Sequence, residues 1–469
     1  MRLDTLIKGR GGAFLRRVSV VSGMTLVSRA TGFLRDIVIA NLLGAGALAD
    51  AFFIALRLPN HFRAIFAEGA FNAAFVPTYA GTLARDGLEA AQAAAGRIVS
   101  ALMLVQIVLL LVAEIWTRGL LEWVTPEFGK GELADLTVAL TRVTFPYLAA
   151  VTLVTAIGAV LNAHQRFAAV AAAPVLFNLG IMAGLAVGAP FGSPAYGAAW
   201  GVAAAGLAEV VLVVFAARRA GILPAARRPT LDPAVRTFLV RLGPALIGSG
   251  AAQIAMFADT ILAAALPAGA VSALYYADRL YQLPVGVIAV ALGTVLLPEL
   301  SERFARGDLA GAQSARRRAL LASVVVTAPF VVAFSVYGDS LIRIVFAHGA
   351  FRPEAVDRAG DTLQAYGLGL MAVVMLRPVV AGFQARGDTR TPMLVGLGVL
   401  VVNVGLKIAL TGMIDVQGLA LATSAAAWSN LIILMALSRR IERRLMQEAA
   451  LGEAGGRDGD RRPPDVTGS

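Results

Sequence analysis

Stretches of about twenty apolar residues recur from near Val18 to Leu437, divided by short polar segments. No other feature limits the fold as tightly. A helix needs about that length to cross the hydrocarbon core, and in lipid each backbone N–H and C=O must be satisfied within its own segment. The chain therefore reads as an all-α polytopic membrane protein. Charged residues are 15% of it and hydrophobic ones 58%, against about 25% charged in an ordinary soluble domain. The apolar blocks fall near 17–43, 48–80, 98–121, 137–161, 169–189 and 197–217, then near 238–265, 271–298, 319–343, 360–384, 392–412 and 417–438. That pattern predicts about 12 transmembrane helices.

A net charge of +11 would suggest nucleic acid in a soluble protein, but here the basic residues gather in alternate connecting segments, among them Arg85/Arg97, Arg218 to Arg241, Arg303 to Arg318 and Arg439 to Arg444. Such alternation is the signature of cytoplasmic loops. Both termini are expected on the cytoplasmic side, and no nucleic-acid partner is expected. The intervening segments fit the opposite face: 122–136 is acidic apart from Lys130, and 190–196 and 266–270 carry no charge. Cysteine is absent, which excludes disulfides, thiolate metal sites and a cysteine nucleophile. His61, His164 and His348 stand in separate segments without ligand spacing, so neither a metal nor a cofactor is expected. No nucleophile, metal set or carboxylate dyad is assembled for an enzyme. The basic N-terminus leads into a long apolar stretch interrupted by Arg29 and Arg35, which reads as a retained first helix rather than a cleaved signal.

The two halves resemble one another. VPTYAGTLARDGLEAAQ, ending at Gln92, matches LPELSERFARGDLAGAQ, ending at Gln313, with Pro77 pairing with Pro298 and Arg85 with Arg306. Six predicted spans per half make these parallel repeats, which typically enclose a central site worked by alternating access. The expected organisation is a cytoplasmic N-terminal segment at 1–17, a six-helix repeat at 18–220, a cytoplasmic linker at 221–237, a second six-helix repeat at 238–440 and a disordered cytoplasmic tail at 441–469. The predicted fold is two pseudo-symmetric six-helix bundles around a central cavity.

Charges stand where lipid should be. Predicted helix one carries Arg29, Arg35 and Asp36, helix two carries Asp50, Arg57, Arg63 and Glu68, and helix eight carries Asp278 and Arg279. One arginine at the bilayer centre costs about 2.5 to 3.5 kcal/mol on insertion scales, so five facing lipid would cost on the order of 10 to 17 kcal/mol. They are expected to face a wet cavity. Residues seven apart nearly share a helix face, which aligns Arg29 with Asp36 and Asp50 with Arg57; Gly32 and Pro59 are candidate bends. A second reading has each arginine neutralised by a neighbouring carboxylate, Arg35 by Asp36 or Arg279 by Asp278, and serving only packing. Collectively the arginines outnumber the acids, and guanidinium forks match phosphate oxygens. An anionic, phosphorylated substrate follows. Arg142, Glu209, Arg377 and Lys407 are single and read first as structural, while Tyr147, Trp200, Tyr275, Tyr276 and Trp428 read as belt or packing residues.

Carried by SRATGFLRD (28–36), ADAFFIALRLPNHFRAIFAEGAFNAAFVP (49–77), FPYLAAVTLVTAIGAVLNAHQRF (145–167) and SALYYADRLYQLPVGVIAVALGTVLLPELS (272–301), the chain resembles the MurJ/MviN lipid II flippases of the MOP transporter superfamily. The resemblance implies transfer of undecaprenyl-pyrophosphate-linked peptidoglycan precursor from the cytoplasmic to the periplasmic leaflet of the bacterial inner membrane. It implies that Arg29, Arg35, Asp50, Arg63 and Arg279 are required, with the arginines gripping the pyrophosphate in a V-shaped cavity. Membrane potential or a monovalent ion is the implied driver; lipid II, membrane lipids and cell-wall synthesis proteins are the implied partners. The alternative is a MOP exporter of another lipid-linked oligosaccharide or of drugs. Well-studied members look like fourteen-span proteins, whose last two helices help hold the polyprenyl tail, whereas this sequence predicts about twelve.

Overall fold

A computed structural model describes residues 3–63, 70–125 and 132–458. Apart from a 3-10 turn at Ala189–Phe191, the regular structure among them is α-helical: α1 (Leu3–Leu43), α2 (Ala47–Arg63), α3 (Phe71–Ile115), α4 (Thr117–Val124), α5 (Glu132–Thr144), α6 (Pro146–Ala163), α7 (Ala168–Gly188), α8 (Pro194–Arg219), α9 (Pro233–Ala264), α10 (Ala270–Ala305), α11 (Leu309–Phe346), α12 (Pro353–Gln384), α13 (Arg390–Ile414) and α14 (Gln417–Asp458). Eight spans among the described residues are long and apolar enough to cross a bilayer: α3, α5 with α6, α7, α8, α11, α12, α13 and α14. The other predicted spans fall on α1, on α2 with the first turns of α3, on α9 and on α10. Three of these, α1, α2 and α10, carry the charges singled out above.

Helix boundaries follow local chemistry. Asp232 caps α9 by accepting from Val235 N at 2.8 Å, with Pro233 in the first turn; Asp308 caps α11 by accepting from Gly311 N at 2.8 Å. Both satisfy amides that a helix start leaves without an acceptor. Gly87, at φ 82°, breaks α3 where the second and third spans were predicted to part. Gly307, at φ 73°, lies between α10 and α11. Each copy of the repeated segment therefore ends in a helix, glycine turn and helix.

By packing, the chain divides into one unit of Met1–Ala277 with Asp339–Gly360 and a second of Asp278–Gly338 with Asp361–Ser469. α9 and the first turns of α10 belong to the first unit. The linker itself runs along α3, with Gln92 Nε2 donating to Gly221 O at 3.0 Å, Arg227 N donating to Ser100 Oγ at 3.3 Å, and Arg97 pairing with Asp232. Within the first unit, Phe71, Phe75 and Tyr79 of α3 pack with Ile157 and Val160 of α6, Val213 of α8 and Phe238 of α9. Lipid offers helices no hydrophobic drive to associate, so close backbone approach matters more there. On α7 and α8, any side chain added at Gly184 would run into the backbone of Gly197 and Gly201. Gly184→Leu is expected to force this seam apart and cost about 1 to 3 kcal/mol, readable as a lower thermal midpoint in detergent.

Beyond residue 440 the helix does not stop. Residues 441–458 continue α14, although the sequence lacks apolar periodicity there and was read as a tail. Ala, Glu, Arg, Leu and Met, which dominate 439–451, are strong helix formers, so propensity extends the helix beyond the apolar span.

Candidate substrate-handling site

Within the first unit, α1 carries Arg35 and Asp36 inward, only 8% and 2% exposed. Arg35 donates to Asp36 Oδ1 from Nε at 3.0 Å and from NH2 at 2.7 Å. It also donates to Asn178 Oδ1 on α7 at 3.0 Å and to the Tyr275 hydroxyl on α10 at 3.1 Å. Tyr275 in turn donates to Asp36 Oδ1 at 2.8 Å. Asn178 Nδ2 returns to α1 through Ser28 O and Thr31 Oγ1, both at 3.1 Å, beside Gly32, where a Cβ would meet Asn178 at 3.4 Å. Gly32 thus borders Asn178 at ordinary contact distance, in a helix that runs unbroken from Leu3 to Leu43. The neutralised-pair reading describes Arg35 as it stands. Arg29, nearly two turns earlier, is exposed.

A second group forms where α1, α2, α10 and the segment before α12 meet in the same unit. Asp50, fully buried in the first turn of α2, accepts from Gly269 N at 2.6 Å and from Ser272 N at 2.7 Å. Its carboxylate therefore caps the N-terminus of a helix more than two hundred positions away, where free amides and the helix dipole favour negative charge. Around it, Tyr276 donates to Gly44 O at 2.9 Å, Ala350 N donates to Asn41 O at 2.8 Å, and Arg358 donates to Ala268 O at 2.9 Å. Gly44 turns between α1 and α2 at φ 67° and lies so close to Ala350 O that a side chain has no room. We refer to this assembly as the clasp.

Farther along α2, Arg57 is half-buried with its guanidinium 5.9 Å from the Tyr275 ring centroid. Arg63, also half-buried, donates to Asn60 Oδ1 at 3.2 Å. It acts electrostatically on Glu209 of α8, which is 3% exposed, receives a hydrogen bond from Tyr147 and has an Oε2 that bonds to no described residue. His61 packs on Phe257 at 4.2 Å and bonds Thr260 Oγ1 at 3.2 Å, a packing role between α2 and α9. Glu68 lies outside the described residues. Asp278 and Arg279 belong to the second unit, both half-buried; Asp278 accepts from Gln282. Among the described residues no group of three or more His, Cys, Asp or Glu is placed to hold a metal ion.

The structure thus gathers Arg35, Asp36 and Asp50, with Arg57 beside them, through partners the sequence reading had set aside. Tyr275, expected to serve packing, and Asn178 are both hydrogen-bonded to Arg35. The available signal was general: a buried tyrosine hydroxyl or an asparagine in an apolar helix must find a partner.

Residues 39–451 match the family described as lipid II flippase MurJ. The chain belongs to that family. The probable lipid II flippase MurJ of Rhizobium meliloti is 39% identical over 430 residues, covering 90% of this chain and 80% of that one. The lipid II flippase MurJ of Burkholderia cenocepacia is 32% identical over 436 residues, covering 91% and 84%. Among solved structures, a lipid II flippase MurJ in an inward closed conformation superposes with TM-score 0.78 at 22% identity, covering 95% of this chain and 94% of that one. An inward-facing MATE transporter of the MOP superfamily gives 0.73 at 14%, covering 91% and 98%. These likenesses establish the two-lobed, all-α transporter fold that the apolar blocks predicted. The chain is a multi-pass membrane transporter of the MurJ family, and not an enzyme.

Proposed function

We propose that this chain moves lipid II from the cytoplasmic to the periplasmic leaflet of the bacterial inner membrane by alternating access, with both termini in the cytoplasm. The family match over residues 39–451 carries the reading. The arginines support it by chemistry: Arg29, Arg57, Arg63 and Arg279 offer planar donor forks suited to a diphosphate. In this account they hold the head group while the polyprenyl tail stays in the bilayer. Arg35, tied to Asp36, Asn178 and Tyr275, and Asp50, capping α10, instead hold the clasp that must open and close. Lipid II drives that change only through unequal affinity for the two states. Outward transfer of an anion runs with an inside-negative potential, which supplies about 2.3 kcal/mol per charge per 100 mV.

Glu209, within electrostatic reach of Arg63, then tunes how firmly Arg63 holds the head group. Glu209→Gln is expected to lower the apparent KM for lipid II several-fold and to slow release, measured by initial flipping rates against substrate density. An unchanged KM would leave Glu209 a packing residue.

A drug exporter handling cations should carry acids rather than an arginine excess, which favours the anionic substrate. Depleting the protein from growing cells and probing leaflet accessibility tests the substrate directly. Lipid II should accumulate facing the cytoplasm. Accumulation of a different polyprenyl-linked glycan, with lipid II still reaching the outer leaflet, would overturn the assignment.

A further inference from the structure

The second unit contains a cationic cluster that the transport account leaves unused. Arg316 of α11 forks onto Glu442 of α14: NH2 lies 2.9 Å from Oε2, while NH1 bonds Oε1 and the Ser438 hydroxyl. Arg386, in the turn after α12, is 3.7 Å from the same Oε1, too far for a hydrogen bond. Its guanidinium sits 5.6 Å from the Phe304 ring and 5.1 Å from the Phe383 ring. NH1 and NH2 of Arg386 and Nε of Arg316 are buried without a hydrogen-bond acceptor among the described residues. One carboxylate therefore serves two half-buried arginines. Asp388, the other acid nearby, acts on Arg386 only through space, because its Oδ1 caps α13 by accepting from Thr391 N at 2.9 Å. Burial holds the Arg386 guanidinium below its ordinary pKa, with Arg316 adding repulsion and Glu442 opposing both.

Beside the cluster opens a small cleft, apolar along Leu300, Phe304, Leu309 and Ala312, and polar where Arg316 and Glu442 line it. Arg317, Arg318, Arg390, Arg439, Arg440 and Arg443 are exposed on the segments that bear these residues. Buried donors without acceptors are costly, and a guanidinium pair offers the fork geometry that phosphate oxygens fill. Basic pockets among helices at a cytoplasmic membrane face recruit anionic head groups.

We propose that Arg316 and Arg386 form a phosphate-binding site, separate from the substrate-handling residues, in which Glu442 on the extended C-terminal helix is the resident counter-ion. The apolar wall suits the first carbons of a lipid bearing that phosphate. Phosphate displaces Glu442 and frees the end of α14, so occupancy is reported by that helix.

The test uses the purified full-length protein titrated with dihexanoyl phosphatidic acid, inorganic phosphate and dihexanoyl phosphatidylcholine, followed by native mass spectrometry and thermal unfolding. Phosphatidic acid should bind and raise the thermal midpoint, and phosphatidylcholine should not. Arg386→Gln should weaken binding about tenfold or more, the worth of one charged hydrogen bond. Arg386→Lys should fall between, and Glu442→Gln should bind several-fold more tightly. Arg63→Ala should leave this binding intact, separating it from transport. A response to inorganic phosphate equal to that of the lipid assigns free phosphate as the ligand, and a response to the lipid alone assigns a head group. Absence of binding by both, or binding that folded Arg386→Gln and Glu442→Gln leave unchanged, overturns the site.

Discussion

Asp50→Ala is expected to reduce flipping at least tenfold and to lower the thermal midpoint of the purified protein. The substitution removes the acceptor shared by Gly269 N and Ser272 N, leaving two amides buried without a partner at about 1 to 3 kcal/mol each. It also removes a negative charge from the start of α10, a further contribution of about 0.3 to 2 kcal/mol. A transporter must balance its two states closely, and each 1.4 kcal/mol shifts their ratio about tenfold. Weakening the clasp by a few kcal/mol therefore depopulates the state it holds. Asp50→Asn keeps one acceptor oxygen and should be intermediate. Asp50→Glu, one methylene longer at a fully buried position, should also impair transport. Flipping rates and unfolding midpoints measured on the same preparations check the series; a stable, fully active Asp50→Ala protein would remove the clasp from the mechanism.

Breaking the pair beneath the clasp should be as severe. Arg35→Ala removes the guanidinium that donates twice to Asp36, which is 2% exposed, and losing one partner of a buried ion pair costs about 3 to 5 kcal/mol. Folded yield should fall sharply. Removing both charges at once is far gentler, because a buried pair replaced by apolar groups is often neutral in stability. Arg35→Met with Asp36→Leu should therefore recover yield and thermal midpoint, yet fail to transport, since α1 then loses its hydrogen bonds to Tyr275 on α10 and the Arg35 bond to Asn178 on α7. Recovery of transport together with stability would mean the pair serves packing alone.

The spans, the duplication and the charged faces of α1, α2 and α10 were legible because hydrophobic length, repetition and the cost of charge in lipid are local properties. The partners of those charges were not. Arg35 meets Asn178 and Tyr275 across 143 and 240 positions, and nothing in residue spacing encodes such a meeting. Asp50 is satisfied by backbone amides, which every residue but proline possesses, so no side-chain pattern announced its role as a cap for α10. Gly32, a candidate bend, lies beside Asn178 within a continuous helix. Arg63 was marked from its own charge, but Glu209, single on an apolar helix, gained meaning only when packing set it near α2. Residues 441–458 hid their helix because helix propensity without amphipathic pattern resembles a tail.

The proposed function assigns the diphosphate of lipid II to guanidinium groups of α1, α2 and α10. Its most direct test is a reconstituted assay that follows fluorescent lipid II from one leaflet to the other of sealed proteoliposomes, comparing the native chain with Arg29→Ala, Arg63→Ala and Arg279→Ala at matched folded protein. Each single variant should slow transfer by about tenfold or more, as expected for losing a charge-assisted bond to phosphate of about 1.5 to 3 kcal/mol, and the triple variant should fall to the rate of empty vesicles. Native rates in the folded triple variant would contradict the account.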